Sequence, residues 1–99
     1  MTTSAIDVRV PDAIGVAVTD DTLTVELSDG RSLSVPLAWY PRLLHATPLE
    51  RSTWRLIGRG QGIHWADVDE DISVESLIGG RPSAESQASL ARWLAARKG

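Results

Sequence analysis

Thr22-Leu-Thr-Val-Glu-Leu-Ser-Asp-Gly-Arg-Ser-Leu-Ser-Val35 is the stretch that decides the fold of this 99-residue chain. Apolar and polar residues alternate on both sides of Asp29-Gly30, so one face collects the side chains of Leu23, Val25, Leu27, Leu33 and Val35. An Asp-Gly pair between two alternating runs is typical of a type I′ turn, in which two successive residues have positive φ. The stretch therefore predicts a β-hairpin with one apolar face.

Two more strands are predicted before the hairpin, over Ala5–Val10 and Ile14–Val18, because both segments are apolar and the first alternates with polar residues. After Pro36, which ends the last hairpin strand, the spacing becomes helical and predicts a short helix over residues 41–46. Thr47-Pro-Leu-Glu50 is a capping-box pattern with proline at the first helical position. It predicts a second helix that continues along Leu49, Thr53, Leu56 and Ile57 to a cap at Gly58.

The sequence of the second half of the chain predicts one more strand and two helices. Residues 62–66 form a short strand that could close the sheet. Ser73 is a candidate N-cap for a helix over 74–78 that ends at Gly79-Gly80, with Ile72 and Leu77 as its hydrophobic staple. A C-terminal helix over 83–98 places Leu90, Trp93 and Leu94 on one face. We expect a single α+β domain over residues 1–99, with a small antiparallel β-meander packed against short helices.

The composition excludes several classes of protein. Without cysteine the chain has no disulfide, thiol nucleophile or cysteine-based metal site. The first twenty residues lack the pattern of a signal peptide, and no run of 18 apolar residues suggests a membrane span. We therefore expect a cytoplasmic protein without membrane contact.

The net charge of −3 conceals four blocks of alternating sign. Residues 1–40 carry −4, residues 41–64 carry +3, residues 65–80 carry −5 and residues 81–99 carry +3. Such blocks are typical of a self-complementary surface, or of helices with basic ends beside acidic loops. The acidic total argues against general nucleic-acid binding.

The segment from His64 to Asp71 has the residue types of a chemical site. Asp67, Asp69 and Asp71 alternate as in a calcium loop, but Ile72 and Ile78 occupy the positions that require glycine and glutamate. His64 with Asp67 or Asp69 is an acid–base or ligand-binding candidate, yet no nucleophile or zinc motif accompanies it. We interpret His64 as a partly buried hydrogen-bonding residue and the carboxylates as caps of the Ser73 helix. We assign no catalytic, metal or cofactor residue.

Tryptophan and arginine are concentrated in the predicted helices. Most of the four tryptophans are expected in the core, but Trp54 with Arg42, Arg51, Arg55 and Arg59 has the composition of an interface centre. A solvated helix face explains the same arginines equally well. Our candidate interaction surface consists of Arg42, Arg51, Trp54, Arg55, His64, Asp67 and Asp69. Nucleic-acid binding by these residues is a weaker alternative, because the adjoining acidic block repels phosphate.

Three segments together resemble the bacterial family called domain of unknown function 2442. They are Asp29-Gly-Arg-Ser-Leu-Ser-Val-Pro-Leu37, Tyr40-Pro-Arg-Leu-Leu-His-Ala46 and Gly60-Gln-Gly-Ile-His-Trp-Ala-Asp-Val-Asp-Glu-Asp-Ile-Ser-Val-Glu-Ser-Leu77. The resemblance covers residues 13–80 and implies a small α+β domain. It supplies no catalytic residues.

The same resemblance implies a genetic context. Members often lie beside genes for another short family, domain of unknown function 4160, in an arrangement similar to toxin–antitoxin pairs. Some relatives add a helix-turn-helix domain, for which residues 81–99 are too short. We therefore expect a non-enzymatic protein-interaction or regulatory module whose partner is a neighbouring gene product, with possible self-association through the C-terminal helix.

Overall fold

The structure, a computed structural model, describes residues 10–98 as two small sheets with short helices and a C-terminal helix. This arrangement confirms the α+β class. The elements, in chain order, are β1 (Ala13–Val18), β2 (Thr22–Leu27), β3 (Ser32–Pro36), α1 (Pro41–Leu44), α2 (Pro48–Ser52), β4 (Arg55–Ile57), β5 (Gly62–Trp65), β6 (Glu70–Ser73), α3 (Val74–Ile78) and α4 (Gln87–Lys98). Single 3₁₀ turns precede α1 and β6. The predicted strand over Ala5–Val10 lies outside the described residues, apart from Val10.

The first sheet is the predicted meander, in the order β1-β2-β3 with both pairs antiparallel. Val25 in the central strand pairs with Val16 on one side and Leu33 on the other. The β2 residues Leu23, Val25 and Leu27 are buried as the alternation predicts. A bulge between Ala13 and Gly15 shifts the register at the start of β1.

The turn of the β2–β3 hairpin differs from the predicted type I′ geometry. Gly30 has a φ of 94°, but Asp29 is not among the residues with positive φ. The Gly30 amide donates to the Leu27 carbonyl at 3.0 Å, and the Leu27 amide donates to Arg31 at 2.8 Å. This is a three-residue loop in which a type I turn is followed by a left-handed glycine. The Asp29 carboxylate accepts the Arg31 amide at 3.1 Å, which stabilises that geometry.

The capping box at Thr47 is confirmed, but the predicted length of its helix is wrong. The Thr47 hydroxyl accepts the Glu50 amide and the Glu50 carboxylate accepts the Thr47 amide. The helix nevertheless ends at Ser52, and residues 55–57 form β4 instead. Leu49, the first residue of the predicted helical face, is 74% exposed. Residues 55–57 have the apolar spacing of a helix, but Leu56 pairs with Ile63 in a sheet, and this pairing determines their conformation.

The strand over Gly62–Trp65 is confirmed, but it does not close the first sheet. It is the central strand of a second antiparallel sheet in the order β4-β5-β6. Its Ile63 and Trp65 side chains are fully buried, and Ile72 of β6 joins them in one cluster with Leu23 and Val25 of the first sheet. The two sheets thus share a single hydrophobic core.

The helix over Val74–Ile78 is confirmed together with its Ser73 cap, whose hydroxyl accepts the Ser76 amide at 3.0 Å. The carboxylates of the acidic run do not cap this helix. They lie on the turn before β6 and on β6 itself, while the Ser73 hydroxyl supplies the cap. This part of the sequence interpretation was wrong, because the turn and strand before Ser73 hold these carboxylates apart from the cap position.

The C-terminal helix begins at Gln87 rather than at Ser83, and charged groups hold it on the rest of the chain. Glu85 binds Arg42 at 2.7 Å, and Arg97 donates to both oxygens of Glu50 at 2.8 and 3.0 Å. The Trp93 ring lies 5.2 Å from the Arg42 guanidinium and 4.6 Å from that of Arg97. Arg97 and the Thr47 amide lower the pKa of Glu50 to about 2. The helix is therefore attached chiefly by ion pairs around one tryptophan.

Gly60 brings the turn of the second sheet against the start of the first. Its carbonyl accepts the Ala13 amide at 2.7 Å, and its φ of 100° suits glycine. A Cβ at this position would lie 2.3 Å from the Ala13 carbonyl oxygen. Because this oxygen belongs to the backbone and cannot move aside alone, a side chain here must separate the two sheets.

We expect Gly60→Ala to destabilise the protein more than Gly30→Ala does. Gly30 also has positive φ but has open space around it, so its substitution costs about 1–2 kcal/mol from backbone strain alone. Gly60→Ala adds a backbone clash and should cost about 2 kcal/mol more. Urea unfolding followed by tryptophan fluorescence measures both, and equal losses would contradict the close apposition of Gly60 and Ala13.

Candidate functional site

Arg51 of the predicted surface is directed inward. Its Nε donates to the Leu43 carbonyl at 2.9 Å and its Nη2 to the Leu44 carbonyl at 2.8 Å. Both carbonyls lie in the last turn of α1, where no amide farther along the helix can bind them, although the Leu43 carbonyl also accepts the Ala46 amide at 3.2 Å. Nη1 binds the exposed carboxylate of Asp20 at 2.9 Å. The Arg51 guanidinium is thus committed to joining α2, α1 and the β1–β2 turn.

Arg42 is likewise committed to internal contacts. It forms a forked ion pair with Glu85, and its Nη1 donates to the Val68 carbonyl at 3.2 Å. The Glu85 carboxylate is largely buried, and its hydrogen bonds from Arg42 and Ser89 hold its pKa below the ordinary value. Asp69 lies at the edge of this pair, with one carboxylate oxygen 4.0 Å from Arg42.

The structure does not bring His64 together with Asp67 or Asp69. His64 is opposite Arg55 on β4 and Asp71 on β6, and its Nδ1 is hydrogen-bonded to the Asp71 carboxylate. This agrees with the interpretation of a partly buried, hydrogen-bonding histidine, although its acidic partner was not identified from the sequence. Asp67 is exposed on the 3₁₀ turn before β6. That the protein is not an enzyme stays a prediction.

Trp54 is half-buried and lines a cleft of about 320 Å³, which we call the edge cleft. One wall is the end of β1 with the following turn, residues 16–20, and the other is α2 with Trp54. Pro48 and Ser52 lie on the α2 side, and Arg51 holds α2 in place. The edge cleft thus combines backbone of a sheet edge with an aromatic side chain.

The β1 strand presents unpaired backbone to this cleft. The Thr19 amide donates to the Thr22 carbonyl at 2.9 Å in the β1–β2 hairpin. This bond determines which β1 residues direct their backbone amides and carbonyls toward β2. Since hydrogen-bonded and non-bonded pairs alternate in an antiparallel ladder, Ala17 bonds to Thr24, whereas Val16 and Val18 direct their amides and carbonyls away from β2. No hydrogen bond within residues 10–98 uses these outward groups of Val16 and Val18.

Apart from the bulge between Ala13 and Gly15, β1 itself lacks the usual protection of an exposed edge. Its six residues carry no charge, and Ile14 is 63% exposed. Natural edge strands are generally blunted by lysine, proline, strong bulges or covering segments. At the opposite edge β3 ends at Pro36, which has no amide hydrogen. The β1 edge is bound at Ala13 by Gly60, and farther along it has no hydrogen bond to another element among residues 10–98.

Glu70 is a notable residue that the sequence analysis passed over. It pairs with Trp65 and lies on the same face of β6 as the buried Ile72. Burial, together with the neighbouring carboxylate of Glu85, raises the pKa of Glu70 to about 7 despite the opposing effect of Arg42. The period-two relation between Glu70 and Ile72 is the signal that could have identified it.

Within residues 10–98, no three His, Asp or Glu side chains are placed to share a metal ion. No helix in the same range combines the length and apolarity needed to cross a membrane.

A family model described as "Protein of unknown function (DUF2442)" matches residues 13–83, close to the range of the predicted resemblance. A crystal structure of a protein of unknown function from Rhodospirillum rubrum superposes with a TM-score of 0.64 at 24% identity, covering 79% of this chain and 94% of that one. A solution NMR structure of an uncharacterized protein from Chromobacterium violaceum gives 0.63 at 20% identity, covering 82% and 74%. No curated protein matches the sequence. These structural likenesses show the shared fold alone.

We expect the stability of the protein to decrease as the pH rises from about 4.5 to above 7. The unfolded chain releases the Glu70 proton near the ordinary pKa, whereas the folded protein retains it up to about 7. Glu70→Gln cannot ionise, and should be more stable than wild type at pH 8 by about 1 kcal/mol after allowance for solvent screening.

Urea unfolding between pH 4.5 and 8 measures this difference. Asp67→Asn is the matched control, because the Asp67 side chain is exposed and makes no hydrogen bond within the described residues. Its pH profile should parallel that of wild type, and a parallel profile for Glu70→Gln would contradict the assignment.

Proposed function

The chain belongs to the family described as protein of unknown function DUF2442, and we propose that it is a non-enzymatic protein-interaction module whose β1 edge pairs with an extended segment of a partner protein. The observation that carries this proposal is the uncharged β1 strand, whose outward backbone groups at Val16 and Val18 lie beside Trp54. Addition of a strand to a sheet edge is a recurring mode of peptide recognition.

The edge cleft offers both affinity and specificity to such a segment. Each main-chain hydrogen bond formed at the edge contributes about 0.5–1.5 kcal/mol net. Alternate side chains of the added strand would enter the cleft between β1 and α2, where Trp54 and Pro48 provide apolar surface. Aromatic residues in such positions are frequent centres of binding energy. The preferred segment therefore has apolar residues at alternate positions.

The proposed partner is the product of a neighbouring gene, so that this protein would be the antitoxin-like or regulatory member of a pair. The genetic arrangement implied by the family resemblance motivates this choice. The position of α4 is compatible with it, since α4 is held near Arg42 and Glu50 rather than in the edge cleft. Self-association through α4 stays a prediction, and light scattering of the chain ended at Gly80 tests it.

The other two candidate functions have weaker support. An acid–base site of His64 with Asp67 or Asp69 lacks convergence, because His64 bonds Asp71. A nucleic-acid-binding surface loses two of its arginines, since Arg42 and Arg51 are engaged in internal bonds. The protein-interaction proposal requires neither arrangement.

We expect Val16→Pro to weaken the complex with the neighbouring gene product at least about tenfold, whereas Val16→Ala changes it less. Proline removes the outward amide without breaking the β1–β2 ladder, and alanine keeps that amide while shortening the same side chain. Titration of the purified proteins measures both affinities, with circular dichroism as the check on folding. Equal affinities of the two variants would contradict edge pairing, and failure of the wild-type protein to bind would remove the proposed partner.

A further inference from the structure

A second cleft, of about 360 Å³, is formed by other elements: β6 lines one side of it, and the segment after α3 lines another. Its lining includes Tyr40, Glu70, Arg81 and Ser83. We call it the Tyr40–Glu70 cleft. It shares no lining residue with the edge cleft.

The Glu70 carboxylate in this cleft lacks a hydrogen-bond donor within the described residues. The nearest suitable cation, Arg42, is already bound to Glu85 through its Nε and Nη2, and its Nη1 donates to the Val68 carbonyl. Asp69, Asp71 and Glu85 add negative charge around Glu70. Arg42 offsets this charge only in part, so a further cation that donates hydrogen bonds to the Glu70 carboxylate would stabilise its ionised form.

The hydroxyl of Tyr40 is a second, independent sign of an incomplete site. Tyr40 is 3% exposed, and its buried hydroxyl has no hydrogen-bond partner within residues 10–98. Burial and the nearby Glu70 carboxylate raise the pKa of Tyr40. Leaving such a group without a partner costs about 1–3 kcal/mol, so buried hydroxyls are normally satisfied by protein, water or ligand.

We propose that the Tyr40–Glu70 cleft binds a primary ammonium group, which donates hydrogen bonds to the Glu70 carboxylate and to the Tyr40 hydroxyl oxygen. An ammonium group has three donors and no acceptor, which matches an acceptor carboxylate and a hydroxyl that lacks a partner. A divalent metal fits less well, because no three potential ligand side chains converge within the described residues. The group comes from a free alkylamine or from a lysine side chain.

The test is an NMR titration of the full chain with n-butylammonium chloride and with Nα-acetyl-lysine amide. Saturable shifts should appear at the Tyr40, Glu70 and Ser83 amides, and the pKa of Glu70, followed through its carboxyl carbon, should fall by at least about one unit at saturation. Tighter binding of the lysine derivative indicates a lysine side chain as the natural source, and tighter binding of butylammonium indicates a free amine.

Two variants and two control solutes make the test decisive. Glu70→Gln keeps the shape of the side chain and should weaken amine binding at least about tenfold, and Tyr40→Phe should weaken it about threefold, without loss of the folded spectrum. Sodium chloride and n-butanol at the same concentrations should produce no saturable shifts at these amides. Equal responses to sodium chloride and to the amines, unchanged binding by Glu70→Gln, or no saturable response to either amine overturns the proposal.

Discussion

The hydrogen bond from the Trp65 indole to the Arg51 carbonyl oxygen, 3.0 Å long and buried, connects the second sheet to the helices. Trp65 is fully buried on β5, and the side chain of Arg51 bonds the last carbonyls of α1. Arg51 of α2 is therefore attached to β5 through its backbone carbonyl and to α1 through its side chain. These attachments fix α2 as the wall of the edge cleft, so the proposed binding surface depends on a contact in the core.

Among residues 10–98, the hydrogen bonds from neighbouring elements to the β1 edge and its turn lie at the two ends of the strand and not along its length. At one end Ala13 bonds Gly60, which holds the second sheet against the first. At the other end Asp20 accepts a hydrogen bond from Arg51, which fixes the β1–β2 turn near α2. Between these two ties the outward groups of Val16 and Val18 have no bond within the described residues.

Local sequence patterns predicted the elements whose geometry is determined by near neighbours. Alternation predicted β2 and β3, and the side chains of Thr47 and Ser73 identified two helix starts. The Asp29-Gly30 turn was assigned wrongly because the same pair suits a type I turn followed by a left-handed glycine. The sequence signals were thus strongest for hairpins and caps.

Long-range pairing and the direction of long side chains could not be obtained in this way. Residues 55–57 have a helical spacing of apolar residues, yet their pairing with β5 decides their conformation. Arg42 and Arg51 were expected on a surface, but carbonyls and a carboxylate distant in sequence draw them inward. Glu70 is the intermediate case, since its spacing from Ile72 indicates a shared face once β6 is known to be a strand.

Native-state amide hydrogen exchange, followed residue by residue by NMR, tests the open β1 edge most directly. The Ala17 amide bonds to β2 and should be strongly protected, whereas the amides of Val16 and Val18 should exchange much faster in the free protein. Binding of the partner should slow exchange at Val16 and Val18 and leave Ala17 nearly unchanged. Equal, strong protection of all three amides in the free protein would show that the edge is already covered and would contradict the account.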